Sequence, residues 1–265
     1  MRQKWPWVLV GGIIAFAFSD VALRSSGAPG MLTITLFIGA MVAPVTMVTF
    51  FYERIRDRDI SVALLANGFI FGGAIGLAAA FLLESWTIAR LGLGEIIAVG
   101  FIEEASKMIF PLLMYSMWRQ RHQGDGLNFG VAAGMGFAAL ETMGYGMTAL
   151  VENSGSIGAM EQLLLLRGVL SPAGHAAWTG MICAVLWRER ERAGRVTINA
   201  SVVMAFLLAV LLHIAWNVTS MLDLPEVLAV TGLLAVGAVS FGLLVTQYRE
   251  ARRTLQAVPA SSLLA

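Results

Sequence analysis

Gly100 to Met114 reads GFIEEASKMIFPLLM, with two adjacent glutamates and a lysine set inside an apolar run. On insertion scales an ionised side chain at the middle of a bilayer costs about 2.5–3.5 kcal/mol. A helix that carries three such groups there must find a partner for each. The first question is therefore whether this run lies in a membrane.

Composition answers it. Ordinary soluble domains carry about 25% charged residues; this chain of 265 residues has 13%, with 58% hydrophobic and a mean hydropathy of +0.76. No soluble core of this size needs so much apolar surface, so the class is an all-α polytopic membrane protein. The single Cys183 cannot form an internal disulfide. A net charge of +1 suggests no nucleic-acid partner.

Charged or Gly/Pro-rich breaks divide the chain into eight apolar segments, at 5–23, 31–52, 61–83, 95–118, 129–151, 163–187, 198–221 and 226–248. The whole of 1–265 then reads as one integral membrane domain, a bundle of about eight transmembrane helices. Arg2 and Lys4 before the first segment resemble a secretory signal, but no small-x-small cleavage site follows. An even number of spans puts both termini on one side. Fourteen of the eighteen Lys and Arg fall on that side, including Arg54, Arg56, Arg58, Arg119, Arg121 and the Arg188–Arg195 group. The other side has Arg24 and Arg90, and Lys107 and Arg167 lie within spans. The positive-inside rule then makes both termini cytoplasmic. Trp5, Trp7, Trp86, Trp118 and Trp187 fall at span ends, as an interfacial belt requires. Trp178 and Trp216 do not; each follows a histidine by three residues, in HAAW and HIAW.

The in-span polar groups concentrate in four consecutive segments: Glu103, Glu104 and Lys107, then Glu141, then Arg167 and His175, then His213 and Asn217. Their charges together would cost on the order of 10 kcal/mol, comparable to the whole stability of a fold. At 1.5 Å per residue, Glu103, Glu104, Glu141, His175 and His213 all lie roughly 12–18 Å from the outer end of their spans. Carboxylates and imidazoles thus meet at one level. Intramembrane ionisable groups so arranged point to a functional site.

Spacing suggests roles. Lys107 is i+4 from Glu103 and i+3 from Glu104, so it neutralises one carboxylate and leaves the other as a base. His213 and Asn217 share a helix face. Pro172, three residues before His175, should kink its span and free a backbone carbonyl. A water between glutamate and histidine would meet the needs of general-base hydrolysis, and an imidazole or the Asn217 amide those of an oxyanion. Taken singly, these groups have plainer readings. Glu103–Lys107 reads as a structural pair, Glu141 as a backbone partner, either histidine as a packing group. Arg167, about one turn inside its span, reads as snorkelling outward, and His122 as part of a solvated loop. Gly130, Gly134, Gly136, Gly144 and Gly146 read as close helix packing, not a phosphate loop.

The ordered set EEASK (103–107), FAALE (137–141), SPAGHAAWT (171–179) and HIAWN (213–217) resembles the PrsW family of intramembrane proteases. These are relatives of the CAAX prenyl proteases and the Abi family, with the pattern EExxK/R, FxxxE/H, a His and HxxxN. The resemblance covers about residues 100–217, and the other spans match only as membrane helices. It implies a multi-pass peptidase acting on membrane-tethered proteins, with bacterial anti-sigma factors as the best-known type. By motif, Glu103 or Glu104 corresponds to the catalytic glutamates, and Glu141, His175, His213 and Asn217 to the remaining polar positions. Ile102 stands where some members have a third acid, and Glu141 where the CAAX branch has histidine.

The resulting expectation is an endopeptidase with its catalytic core in 95–221. One of Glu103 and Glu104 deprotonates water with help from His175, and His213 and Asn217 bind the oxyanion. Lys107 holds the second carboxylate charged, and Glu141 orients a histidine. Within the same class, Glu141, His175 and His213 form a sensible ligand set for zinc. Outside it stand a proton-coupled transporter, for which no internal repeat is visible, and a non-catalytic membrane scaffold.

Overall fold

The structure, a computed structural model, describes residues 3–55, 60–91, 95–117, 122–221 and 225–257. The elements in order are α1 (Trp5–Ser26), α2 (Pro29–Ile55), α3 (Val62–Leu91), α4 (Glu95–Lys107), α5 (Ile109–Ser116), α6 (Gln123–Glu152), α7 (Ile157–Ser171), a π turn (Pro172–Ala176), α8 (Ala177–Ala193), α9 (Ala200–Met221) and α10 (Glu226–Ala257). With α4–α5 and α7–π–α8 each counted as one broken rod, the described residues form eight rods, as the sequence requires. Six helices are long and apolar enough to cross a membrane: Trp5–Ser26, Pro29–Ile55, Val62–Thr87, Ile157–Ala193, Ala200–Ser220 and Val227–Gln256. The two rods that fall short, α4–α5 and α6, carry Glu103, Glu104, Lys107 and Glu141. Their charges and glycines dilute the apolar signal.

Two proline positions set the breaks. Pro111 has no N–H and its ring crowds the carbonyl four residues back, that of Lys107. The chain turns at Met108, where the Met108 N–H reaches Ala105 O at 3.2 Å, and restarts as α5. Pro172 produces the distortion expected of it, and it takes the form of one π turn ending in the His175–Ala176 pair. Such widened turns relax the i→i−4 ladder without ending the rod, and they recur at functional sites.

α6 is the axis of the bundle. Its residues Leu127 to Ala139 are buried all round, packed between α2, α3, α8 and α10. Glycine makes that possible, since a helix enclosed on every side must let neighbouring backbones approach. A Cβ at Gly136 would strike the carbonyl of Phe69 in α3, and one at Gly134 would strike the carbonyl of His175 in the π turn. Gly144 departs from the packing expectation, with nothing within 4 Å of a Cβ there.

One end of the bundle gathers the start of α1 and the later turns of α10. Glu53, near the end of α2, accepts from the Lys4 N–H at 2.8 Å, and Phe51 meets Tyr248 of α10 edge to face at 5.8 Å. Two expectations are corrected at this end, the start of α6 and the place of Trp187. α6 begins at Gln123, six residues before the expected start at 129, because its polar first turn is satisfied: Gln123 Nε2 donates to Gln247 and Glu250 of α10 at 3.1 and 3.2 Å. His122 keeps 40% of its side chain exposed, in keeping with the solvated reading, and it also caps α6 with Asp125 and sits 3.0 Å from Glu191. Trp187 is no belt residue, because α8 runs on to Ala193 and the ring is buried against Tyr115 at 4.9 Å. Trp7 and Trp86 are exposed as a belt requires, while Trp118, Arg56, Arg58, Arg119 and Arg121 lie outside the described residues.

Gly136→Ala should force α3 away from α6 and cost about 1–3 kcal/mol, as overpacking does. Gly144→Ala should cost nothing and gain about 0.5–1 kcal/mol of helix propensity. Unfolding midpoints in detergent check the pair, and equal midpoints would mean that α3 yields freely.

Candidate active site

Helical spacing places Glu103, Glu104 and Lys107 on one face of α4. The Lys107 ammonium donates to Glu103 Oε2 at 3.0 Å and to Glu104 Oε1 at 2.8 Å. Lys107 and Glu104 are fully buried, whereas the Glu103 side chain keeps 10% of its surface. Across from them, α9 brings His213, whose Nδ1 lies 2.9 Å from Glu104 Oε1 and whose Nε2 lies 3.7 Å from Glu103 Oε2. A carboxylate only accepts, so Nδ1 carries the hydrogen toward Glu104. The two glutamates are thus unequal. Glu104 is locked between Lys107 and His213, and Glu103 is the one that keeps an exposed edge.

A second acid–imidazole pair stands beside the first. Glu141 of α6 lies 3.2 Å from His175 Nε2. Its same oxygen also accepts from Arg167 of α7 at 2.5 Å, and the Arg167 Nε donates to Thr142 Oγ1 at 2.9 Å. The snorkelling reading of Arg167 is therefore overturned. A carboxylate within reach in a low-dielectric interior offers charge-assisted bonds worth more than a stretch to water. The two pairs face one another, with the His175 and His213 ring centroids 6.3 Å apart. Phe137, four residues before Glu141, joins them: its ring lies 4.4 Å from the Lys107 ammonium and stacks on His175 at 5.8 Å.

Some polar atoms in this interior have nothing to bond. Glu104 Oε2, His175 Nδ1 and Thr179 Oγ1 are buried with no hydrogen-bond partner. With Nε2 turned to the Glu141 carboxylate, His175 Nδ1 is a bare acceptor. Asn217 is half-buried one turn beyond His213 on α9, and no hydrogen bond of its side chain occurs among the described residues. The structure therefore joins Glu103, Glu104, Lys107 and His213 in one cluster and Glu141 and His175 in another. Asn217 is left with its amide uncommitted.

The donor types suit zinc, but their arrangement does not. Among the described residues no three His, Cys, Asp or Glu side chains converge so as to hold a metal ion. Glu141 and His175 are spent on each other and on Arg167, His213 is turned to Glu104, and the point between Glu103 and Glu104 is filled by the Lys107 ammonium. The set Glu141, His175 and His213 does not fit a bound metal as it stands.

Removing Lys107 would leave two buried carboxylates facing each other. Lys107→Met is expected to destabilise the protein by about 3–5 kcal/mol, the cost of stripping one partner from a buried pair. Lys107→Met combined with Glu104→Gln should recover much of that loss in thermal unfolding. An additive double mutant would show that the pair is not coupled.

Sequence alone gives Phe137 and the orphaned Thr179 no role of their own and sends Arg167 outward. For Arg167 a signal existed, since a charge inside a span is best assumed paired. The chain matches the family described as PrsW family intramembrane metalloprotease over residues 27–245. Comparison with curated proteins and with solved structures returned no match. The family match spans most of the chain, from just after α1 to past the middle of α10, and takes in every residue of both acid–imidazole pairs. This multi-pass membrane protein therefore belongs to the PrsW family of intramembrane proteases and is a peptide hydrolase.

Proposed function

We propose that this peptidase cleaves membrane-tethered proteins, single-span regulators of the anti-sigma-factor kind, by glutamate-activated water within a catalytic core spanning 95–221. Both termini are cytoplasmic in this reading, supported by the fourteen Lys and Arg that the order of apolar segments assigns to the side of the termini. The bilayer is a bacterial inner or plasma membrane. The observation that carries the mechanism is the inequality of the two glutamates, with Glu104 sealed and bonded and Glu103 open on one side.

Glu103 is the general base. A water between Glu103 and His213 Nε2 gives a proton to Glu103 as its oxygen bonds to the scissile carbonyl carbon. The bare Nδ1 of His175, with the ring held by Glu141, accepts the water's other hydrogen and aligns its lone pair. The proton passes from Glu103 to Nε2 of His213, which then donates, together with the Asn217 amide, to the oxyanion. Collapse of the tetrahedral species breaks the C–N bond, and the proton returns through Glu103 to the leaving amine. Lys107 keeps Glu104 charged, and Glu104 in turn holds the His213 tautomer. No step passes through a metal.

The protein co-reconstituted with a single-span peptide bearing a soluble reporter tests the assignment. Glu103→Gln should abolish cleavage with the fold intact, and Asn217→Ala should lower kcat by about 100-fold, as loss of one oxyanion donor does. Full activity in folded Glu103→Gln would end the proposal.

Metal dependence has its own experiment. Because Lys107 occupies the carboxylate junction, treatment with 1,10-phenanthroline should leave the rate unchanged. Loss of activity restored by added zinc would instead favour the ligand set Glu141, His175 and His213, with Arg167 displaced.

A further inference from the structure

His213 has one ring edge bonded to Glu104, and a single bond does not fix the plane of a ring that can turn about it. The plane is set by something else. Trp178 of α8 lies against the imidazole face, with centroids 4.7 Å apart and planes 24° from parallel. The indole is itself held at three places. Its Nε1–H donates to Ser240 Oγ of α10 at 2.9 Å, Trp216 meets it edge-on at 6.1 Å, and His175 lies 6.0 Å away. Trp178 is buried and Ser240 is completely so.

A buried indole N–H needs an acceptor, and in an apolar helix bundle such acceptors are few. Ser240 supplies one from a helix that otherwise contributes only apolar packing to this part of the molecule. Without that bond the indole loses the one directional contact that fixes its outer side-chain torsion, and the flat surface under His213 tilts within the slack its ring neighbours leave. The direction of Nε2, which faces Glu103 at 3.7 Å, follows the ring plane.

We propose that Trp178 and Ser240 are positioning residues, which fix the plane of His213 and so aim its Nε2 at Glu103. The inference rests on the reading of His213 as a working group, and it extends the active site to α10. Trp178 acts through its indole face, and Ser240 acts only through Trp178.

The chain has only three histidines, so a histidine-labelled NMR spectrum of the full protein in nanodiscs is sparse. The His213 signal is identified by its loss in His213→Gln. In the wild type, the His213 ring should show the upfield displacement that an adjoining indole face imposes. Ser240→Ala should move its Cε1–H correlation downfield, Trp178→Phe should move it further, and Ser240→Thr should restore it. With the reporter peptide, Ser240→Ala should lower kcat by about 10-fold at unchanged KM, less than the roughly 100-fold that a 1 Å misplacement can produce. A His213 signal unmoved in Ser240→Ala would overturn the positioning role, and a moved signal with wild-type kcat would overturn its catalytic consequence. Failure of the wild type to cleave the reporter would count against the proposed peptide chemistry alone, because the spectra read the ring directly.

Discussion

A lysine ammonium with no solvent exposure, bonded to two carboxylates of its own helix, is the constraint from which the rest of the molecule follows. Neither glutamate could stay charged in an apolar interior alone, and nor could the lysine. One helical turn brings all three together, so the pairing needs no partner from elsewhere to begin. It remains one negative charge out of balance. That residual charge gives the neighbouring helices something to answer, and His213 does so from α9 while the Phe137 ring faces the ammonium from α6. The break at Met108 follows the lysine directly, because Pro111 cannot bond the Lys107 carbonyl.

The second pair depends on backbone approach. Glu141 meets His175 because α6 can press against the π turn, and it can do so because Gly134 puts no side chain in front of the His175 carbonyl. The same helix lies against α3 through Gly136. Smallness along α6 thus lets α3 and the π turn pack directly against its backbone. Arg167 then balances Glu141 as Lys107 balances the α4 glutamates, so each acid–imidazole pair has its own cation. The two pairs adjoin through their imidazoles, with ring centroids 6.3 Å apart and the rings edge to face.

Much of this was legible beforehand. The eight apolar segments, the gathering of Glu103, Glu104, Glu141, His175 and His213, and the i,i+3 and i,i+4 pairing to Lys107 all follow from spacing along single helices. The distortion at Pro172 is equally local. What was misread involves contacts between distant segments. Arg167 lies 26 residues from Glu141, and nothing in that separation distinguishes an inward bond from an outward stretch. Trp187 stands where a span was expected to end, yet Tyr115 and the continuation of α8 enclose it. The polar first turn of α6 looked like a loop because its partners, Gln247 and Glu250, are more than a hundred residues away.

By itself the sequence determined the solvent of this protein and the identity of its buried charges. Both are properties of residues and their immediate spacing, since transfer into lipid is paid residue by residue and a helix repeats every 3.6 positions. Only the tertiary structure decided which cation answers which carboxylate, which glutamate keeps an open side, and that α10 reaches the site through Ser240. Those choices turn on distances of a few ångströms between rods. Electrostatic and hydrogen-bond energies vary steeply over that range, and the order of residues along the chain does not encode it.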